Sequence, residues 1–456
     1  MVIEVINPAT EEVAGRYEKM NKSDVEKLIK DMSAEQKKWA LTSFEHRKAL
    51  MLKAGAELRD NKHKYGMIIT QEMGKPITQA MGEIEKCAGL CEYYANTAEA
   101  YLKPQPIETE NTKSYRCFKP MGIIYAIMPW NFPFWQALRF IVPNLMAGNA
   151  ALLKHASSSI GAALALEKIF HQVDFPKNIF RSLVIDVELS PYIIEHAEIR
   201  GVTLTGSERA GSTVAAQAGK ALKKVIMELG GSDPYLILED ANIDYAVQQC
   251  ATSRLSNAGQ ICISAKRLIV VESVYDEFVE KLKTQIQDNF KCGDPTDPKT
   301  TMGPMAREDL LKELHDKVQK TIDAGAECVF GGKRLEGKGF FYPPTLLLNV
   351  RKGMTAYHEE LFGPVVCVIK VKNEAEAIEV ANDSPYGLGA AVFTSDIEKG
   401  ERIARDEIVA GTCNVNKLVG SDQRLPFGGT KLSGFGRELA SEGLHEFCNV
   451  KTVVVK

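Results

Sequence analysis

The chain has no surplus of one charge, no paired-cysteine motif and no long unbroken apolar run. Its formal net charge is −3, which excludes the electrostatic footprint of a protein that binds nucleic acid or an anionic membrane. Ten cysteines are scattered with neither a C-x-x-C pair nor a His/Cys cluster at zinc spacing. That excludes a zinc module, so no metal is expected. It also reads as thiols in a reducing cytosol. Cys87 and Cys91 fit one buried helix face. The most apolar long stretch, Phe132 to Leu153, is interrupted by Arg139, Pro143, Asn144 and Asn149, which argues against a transmembrane helix. The opening Met1-Val2-Ile3-Glu4 carries an acid early and lacks the basic and apolar regions of a signal peptide. The sequence shows no internal repeat, no low-complexity tract and no G-x-G-x-x-G fingerprint.

What is present is the material of a soluble α/β protein. The 456 residues amount to about two to three domains. Apolar residues make up 45% and charged residues 25%, enough for sizeable cores. Apolar residues recurring at three and four predict helices over 24–39, 45–61, 65–73 and 77–102. Pro104 and Pro106 stop the last one. From Gly122 strands and helices alternate, which predicts an α/β architecture with parallel sheets. Strands are expected at 150–154, 183–185, 201–204, 224–227, 235–238, 268–271, 328–330 and 365–371. Gly230-Gly231 divides the alternation into two halves. Val450 to Val455 reads as a terminal strand with no chain left to pair with, either an edge strand or one that docks on a neighbouring subunit.

Eight stretches carry possible chemistry. In Gly259-Gln260-Ile261-Cys262 a cysteine precedes an apolar strand, a place that holds a side chain while leaving it reachable; taken alone, most free cysteines are small buried hydrophobes. Thr205-Gly206-Ser207 runs from a strand into a helix, where free N–H groups and the helix dipole favour an anion; Ser207 by itself is an N-cap. Lys154 ends a strand, where α/β sheets bind ligands, though a lone lysine there is usually only solvated. Glu228 precedes Gly230-Gly231, as a placed carboxylate or a loop acid. Prolines on both sides of Trp130-Asn131-Phe132 preset the Asn131 amide, which suits an oxyanion hole or a rigid turn. Glu359-Glu360-Leu361-Phe362-Gly363-Pro364 opens a strand. Pro426-Phe427-Gly428-Gly429 and Ser433-Gly434-Phe435-Gly436 are glycine-rich, and each alone is only a turn.

In this order these stretches closely resemble the NAD(P)-dependent aldehyde dehydrogenase superfamily, from Asn7-Pro8-Ala9-Thr10 to the C-terminal strand, and most of all its bacterial succinate semialdehyde dehydrogenases. The resemblance implies an α/β fold of two Rossmann-like parallel-sheet domains with a small oligomerisation β-arm. Residues 1–98 and 122–227 would bind the cofactor, 228–432 would form the catalytic domain, and 99–121 with 440–456 would form the arm of a homodimer or homotetramer. It implies Cys262 as nucleophile, Asn131 with the Cys262 N–H as oxyanion donors, and Glu228 as the base that activates water on the thioester. Glu228 argues for a free acid as product, because coenzyme A-acylating relatives lack it.

The resemblance also assigns the cofactor. Lys154 would hold the adenosine ribose and Glu360 the nicotinamide ribose beside Phe362. Gly206, Ser207 and Gly211 would form the phosphate turn, flanked by Trp130 and Leu229. Ser157 stands where NAD-specific members carry a glutamate that repels a 2′-phosphate, so NADP should be accepted, and the cofactor is expected to be NADP or NAD. His155 stands where proline is common. Arg139 matches an arginine that binds a distal substrate carboxylate. A second arginine of some members falls at Ser256, for which Arg254 or Arg424 would substitute, and Ser421 lies in a loop at the substrate end. Cys262 has no neighbouring cysteine for a redox switch. The expected reaction is oxidation of succinate semialdehyde to the acid by a cytoplasmic enzyme. A broad-range, glutarate semialdehyde or amino aldehyde dehydrogenase is the alternative. Cys262, Glu228 and Asn131 argue against a non-catalytic relative. A cysteine hydrolase would need a histidine base, and no histidine falls in a catalytic stretch.

Overall fold

The structure, a computed structural model, describes residues 2–456. After a hairpin of Val2–Ile6 and Val13–Glu18, four helices follow at Lys22–Trp39, Phe44–Asp60, Lys62–Met73 and Ile77–Tyr101. The first opens on a capping box in which Asn21 and Asp24 satisfy each other's backbone donors. The hairpin escapes the apolar pattern because its strands are largely exposed.

Two sheets carry the rest. The six-stranded one runs in the order Gly434–Phe435, Lys224–Glu228, Ile199–Thr205, Ile123–Met128, Ala150–His155, Phe180–Leu183. Only the short outer strand Gly434–Phe435 is antiparallel. The seven-stranded one runs Glu327–Phe330, Thr345–Leu348, Val365–Val371, Ala265–Val271, Asp233–Ile237, Gly389–Phe393, Thr412–Val415, antiparallel only at Glu327–Phe330. Their inner strands are near-continuous apolar runs because helices cover both faces of a parallel sheet. The chain leaves the first sheet at Glu228 and enters the second at Asp233, across Gly230-Gly231. Both sheets therefore present the ends of their strands to one cleft.

Three differences from the sequence reading have physical causes. The strand expected at 268–271 begins at Ala265, because Lys266 and Arg267 are buried within it and bonded to protein atoms. The strand expected at 183–185 is Phe180–Leu183. The terminal strand, Cys448–Val455, does have a partner within the chain: it pairs antiparallel with Lys113–Pro120 along its whole length. With Gln105–Pro106 this makes a three-stranded ribbon that leaves Val450, Val454 and Val455 exposed.

The apolar stretch from Phe132 becomes the helix Pro133–Ala147, buried at every position. A helix that is apolar all round belongs in an interior. Proline at its start costs no hydrogen bond, and Gly148 ends it at φ +93. No described helix is long and apolar enough to cross a membrane.

Candidate active site

The loop before Cys262 has a backbone that the sequence motif explains. Asn257, Ala258 and Gly259 have φ of +53, +52 and +70 in succession. A Cβ on Gly259 would stand 2.1 Å from the Gly363 carbonyl oxygen, so only glycine fits. Gln260 then locks the loop. Its side chain donates to the Asn257 carbonyl at 3.1 Å and accepts from the Ala306 N–H at 2.9 Å. Lys266 Nζ donates to the carbonyls of Ile261 and Cys262 and pairs with Glu360 at 2.9 Å. The Cys262 side chain is thereby held at the cleft. Burial pushes its thiol up to about 11, with Lys266 and Arg139 acting against the rise.

Asn131 joins this loop from the other sheet. Its Nδ2 donates to the Gln260 carbonyl at 2.9 Å, and its own carbonyl accepts from Asn257 Nδ2 at 3.0 Å and Lys75 Nζ at 2.8 Å. Lys75 is fully buried, pairs with Glu83 and lies 3.6 Å from the Phe132 ring centre. Glu83 in turn accepts the N–H groups of Phe134 and Trp135 at 2.9 and 3.0 Å, capping the buried helix. One of the two Asn131 amide protons remains unspent.

Two cavities meet at Cys262 and Gln136, which line both. The first, about 430 Å³, is walled by Trp130, Asn131, Gly206, Ser207, Leu229, Glu360 and Phe362, with Glu208, Glu313, Lys317 and Tyr386. Ser207 caps the helix Glu208–Lys220, its Oγ accepting from the Ala210 N–H. Trp130 meets Phe362 edge to face at 5.9 Å. A Cβ on Gly230 would stand 2.6 Å from Glu360 Oε2, so a side chain there would push that carboxylate aside. Gly211 lies outside this wall and is a packing glycine, since a Cβ would meet Leu229 at 2.5 Å. Lys154 and Ser157 also lie outside it. Lys154 is half-buried at the strand end, its ammonium held below the usual range by burial, and Ser157 is exposed. His155 bonds the Pro133 carbonyl at 2.9 Å and is pushed down to about 4 by burial, so it is neutral at pH 7.

The second cavity, about 310 Å³, is walled by Gln79, Glu83, Lys86, Phe132, Trp135, Arg139, Ser256, Val419, Ser421 and Phe427. Arg139 is buried here, paired with Glu438 and set 4.7 Å from the Phe427 ring centre. Glu228 lines neither cavity. It is buried with both oxygens unpartnered, and its carboxyl is pushed well up by burial and by the nearby Glu438 charge, against the pull of Arg139 and Arg437.

Two expected substrate residues lie elsewhere. Arg254 is fully buried beneath the catalytic loop and donates to the carbonyls of Val365, Gly259 and Leu361 and to Ser264 Oγ. All its reach is spent on fixing backbone, so it has no face toward a substrate. Arg424 is exposed, paired with Asp422 at 2.7 Å and outside the cavity wall. The sequence reading missed Lys86, Gln136, Lys266 and Glu438. Gln136 and Arg139 had a signal, as polar residues in the most apolar stretch of the chain. Lys86 had a weaker one: Gln79, Glu83 and Lys86 form a polar stripe at helical spacing.

The aldehyde dehydrogenase family profile matches residues 1–453. A succinate semialdehyde dehydrogenase of Escherichia coli K12, named for NAD(P)+, is 42% identical over 98% of this chain and 96% of its own. The NADP(+) succinate-semialdehyde dehydrogenase of Deinococcus radiodurans is 42% identical over 98% and 94%. Among solved structures, the Streptococcus pyogenes succinic semialdehyde dehydrogenase with NADP+ superposes with a TM-score of 0.97 at 38% identity, covering 99% of each chain. A structure described for cofactor and substrate selection by Gox0499 superposes at 0.98 and 42% identity over both full chains. The cleft, the placed cysteine and these matches agree: the chain belongs to the aldehyde dehydrogenase family. Its reaction is the NAD(P)-dependent oxidation of an aldehyde.

Proposed function

We propose that this chain oxidises a short aldehyde bearing a distal carboxylate, with succinate semialdehyde the first candidate, to the free acid. The observation that carries the reading is the second cavity, where Lys86 and Arg139 face Cys262 across apolar walls. The curated relatives named above act on the same substrate class. A cationic end and an aromatic middle suit an aldehyde whose far end is an anion.

Cys262 is the nucleophile of this reading. Its raised thiol must lose a proton before Sγ attacks the aldehyde carbon. The oxyanion so formed is met by the free Asn131 amide proton and the Cys262 N–H, the first oriented by the Gln260 carbonyl and the second by the hydrogen-bonded loop. A nicotinamide held in the first cavity by Glu360 and Phe362 would supply the hydride acceptor. Glu228, whose unpartnered carboxyl is a stronger base than an ordinary glutamate, takes the proton of the water that hydrolyses the thioester. Glu228 lines neither cavity, so this role requires its side chain to turn toward Cys262.

The first cavity suits NADP or NAD. The Ser207-capped helix offers N–H groups to phosphate. Glu360, anchored through Oε1 by Lys266, keeps Oε2 for a ribose hydroxyl, with Phe362, Trp130 and Leu229 as walls. Lys154 takes the adenosine ribose, and the uncharged Ser157 tolerates a 2′-phosphate, in line with the NADP named for the relatives. Residues 1–98 and 122–227 form the cofactor unit of this reading, 228–432 the catalytic unit, and 99–121 with 440–456 the arm. Exposed Val450, Val454 and Val455 support a homodimer or homotetramer, and ten free cysteines support a cytoplasmic setting.

A second reading, a dehydrogenase for uncharged aldehydes, draws on the Arg139–Glu438 pair, which neutralises one of the two cations. Steady-state kinetics with succinate semialdehyde and butanal, each with NADP and NAD, separates them. A kcat/KM preference above about tenfold for the semialdehyde, about 1.4 kcal/mol in transition-state binding, is expected. Equal rates select the second reading.

A further inference from the structure

We propose that Lys75, Gln79 and Glu83 are positioning residues for the reaction: together they fix the direction in which Asn131 presents its free amide proton. This rests on the reading of Asn131 as an oxyanion donor and says what aims it.

Gln79 and Glu83, four residues apart, share one face of the helix Ile77–Tyr101. Lys75, just ahead of that helix, reaches the same side through its pair with Glu83. This face holds both halves of the oxyanion site. On one half, Glu83 accepts the N–H groups of Phe134 and Trp135, and Lys75 Nζ donates to the Asn131 carbonyl at 2.8 Å. On the other, Gln79 Oε1 accepts the Asn257 N–H at 2.8 Å, and its Nε2 donates to the Thr301 carbonyl at 2.8 Å.

A planar amide with two fixed points has one orientation. For Asn131 the first point is the bond from Nδ2 to the Gln260 carbonyl at 2.9 Å. The second is its own main chain, whose carbonyl is held by Lys75 and by Asn257 Nδ2. Asn257 Nδ2 also reaches the Gln260 carbonyl at 3.4 Å, from a residue whose backbone stands at φ +53. Gln79 holds that backbone. Both points therefore trace back to the same three side chains. Stability alone does not account for them. Lys75 is 1% exposed, and burial pushes its ammonium below the usual range, with Glu83 acting against the fall. Apolar residues of the same volume hold a buried turn as well as an ion pair does, or better. What the ammonium adds is direction, a charge-assisted bond to one chosen carbonyl. A donor misplaced by about 1 Å costs about 100-fold in rate.

The test measures kcat and KM for succinate semialdehyde and butanal, with NADP, in the wild type, Asn131→Ala, Lys75→Met/Glu83→Gln and all three changes combined. The paired change leaves no unpaired charge, and Glu83→Gln keeps an oxygen for the Phe134 and Trp135 N–H groups. Wild-type kcat in Asn131→Ala sinks the oxyanion reading itself, and this proposal with it. Given a loss there, Lys75→Met/Glu83→Gln should lower kcat about 100-fold for both aldehydes alike, with KM within about threefold. On the Asn131→Ala background the same pair should cost less than about threefold more, because a misdirected amide and a missing one are equivalent. A kcat near that of the wild type, a loss confined to one aldehyde, or a further loss above about threefold on that background overturns the proposal. Should the paired variant fail to fold, Gln79→Leu decides. It should lower kcat about tenfold for both aldehydes, and Gln79→Glu, which keeps the acceptor, should restore butanal turnover. Unchanged kcat in Gln79→Leu, or no recovery in Gln79→Glu, overturns the proposal.

Discussion

The cavities on either side of Cys262 differ in how the chain builds them. The cofactor side is assembled largely from short contiguous runs at 129–131, 205–208, 229–230 and 359–360, with Phe362, Tyr386 and one helix face of Leu310, Glu313, Leu314 and Lys317. Those runs are turns at strand ends, where backbone N–H groups and glycines set the shape. The aldehyde side is assembled from side chains spaced along helices, among them Gln79, Lys86 and Arg139, together with the loop runs 261–263 and 418–421 and Phe427. The charges differ as well. Glu208, Glu313, Glu359 and Glu360 face the first against Lys317, whereas unpaired Lys86 marks the second. A common cofactor can be held by main chain, which tolerates little variation. A particular substrate end needs side chains, which are exchangeable one at a time.

The strongest challenge to this division is Cys262→Ala, because Cys262 belongs to both cavities. Aldehyde oxidation should fall by about 10⁴-fold or more, while NADP affinity, followed by fluorescence titration, stays within about twofold. Weakened NADP binding would show that the two sides are not separable. Next in size is Arg254→Met, which removes the guanidinium that ties the catalytic loop to the second sheet. It should cost about 3 kcal/mol or more in denaturant unfolding. The surviving folded enzyme should lose efficiency with semialdehyde and butanal alike. A selective loss with the semialdehyde would return Arg254 to the substrate site. The smallest effect belongs to Ser157→Glu. It should raise the KM for NADP by about tenfold and leave that for NAD nearly unchanged, through repulsion of the 2′-phosphate. The semialdehyde-to-butanal ratio should not move. If it did, the adenosine end and the aldehyde end would be coupled.

The contrast also explains what could be read ahead of the structure. Gly259-Gln260-Ile261-Cys262 was legible because its glycine answers a backbone demand, a positive φ packed on the Gly363 carbonyl. Thr205-Gly206-Ser207 was legible because a helix N-cap has a sequence signature. Arg254 was misplaced for the opposite reason. An arginine near a catalytic cysteine in sequence looks like a substrate ligand, and only packing reveals that its donors end on three backbone carbonyls and Ser264 Oγ. The terminal strand was read as an edge strand or one docking on a neighbouring subunit, because periodicity does not name a partner, Lys113–Pro120, that is far away in sequence. Arg139 sits in a helix buried at every position, so it has no solvent face and meets Glu438 instead.

By itself the sequence determined what local physics controls: the alternation of strands and helices, the caps, the glycine turns, and a cysteine, an amide and a carboxylate each set beside rigid backbone. Tertiary structure decided which of the remaining charges are spent and which are free. Arg139 is neutralised by Glu438, Arg254 is consumed by carbonyls, and Lys86 is left facing the cavity with only a hydroxyl and an aromatic ring beside it. Pairing of charges is a property of distance in space, and residues that meet across helices and loops leave no periodic trace along the chain.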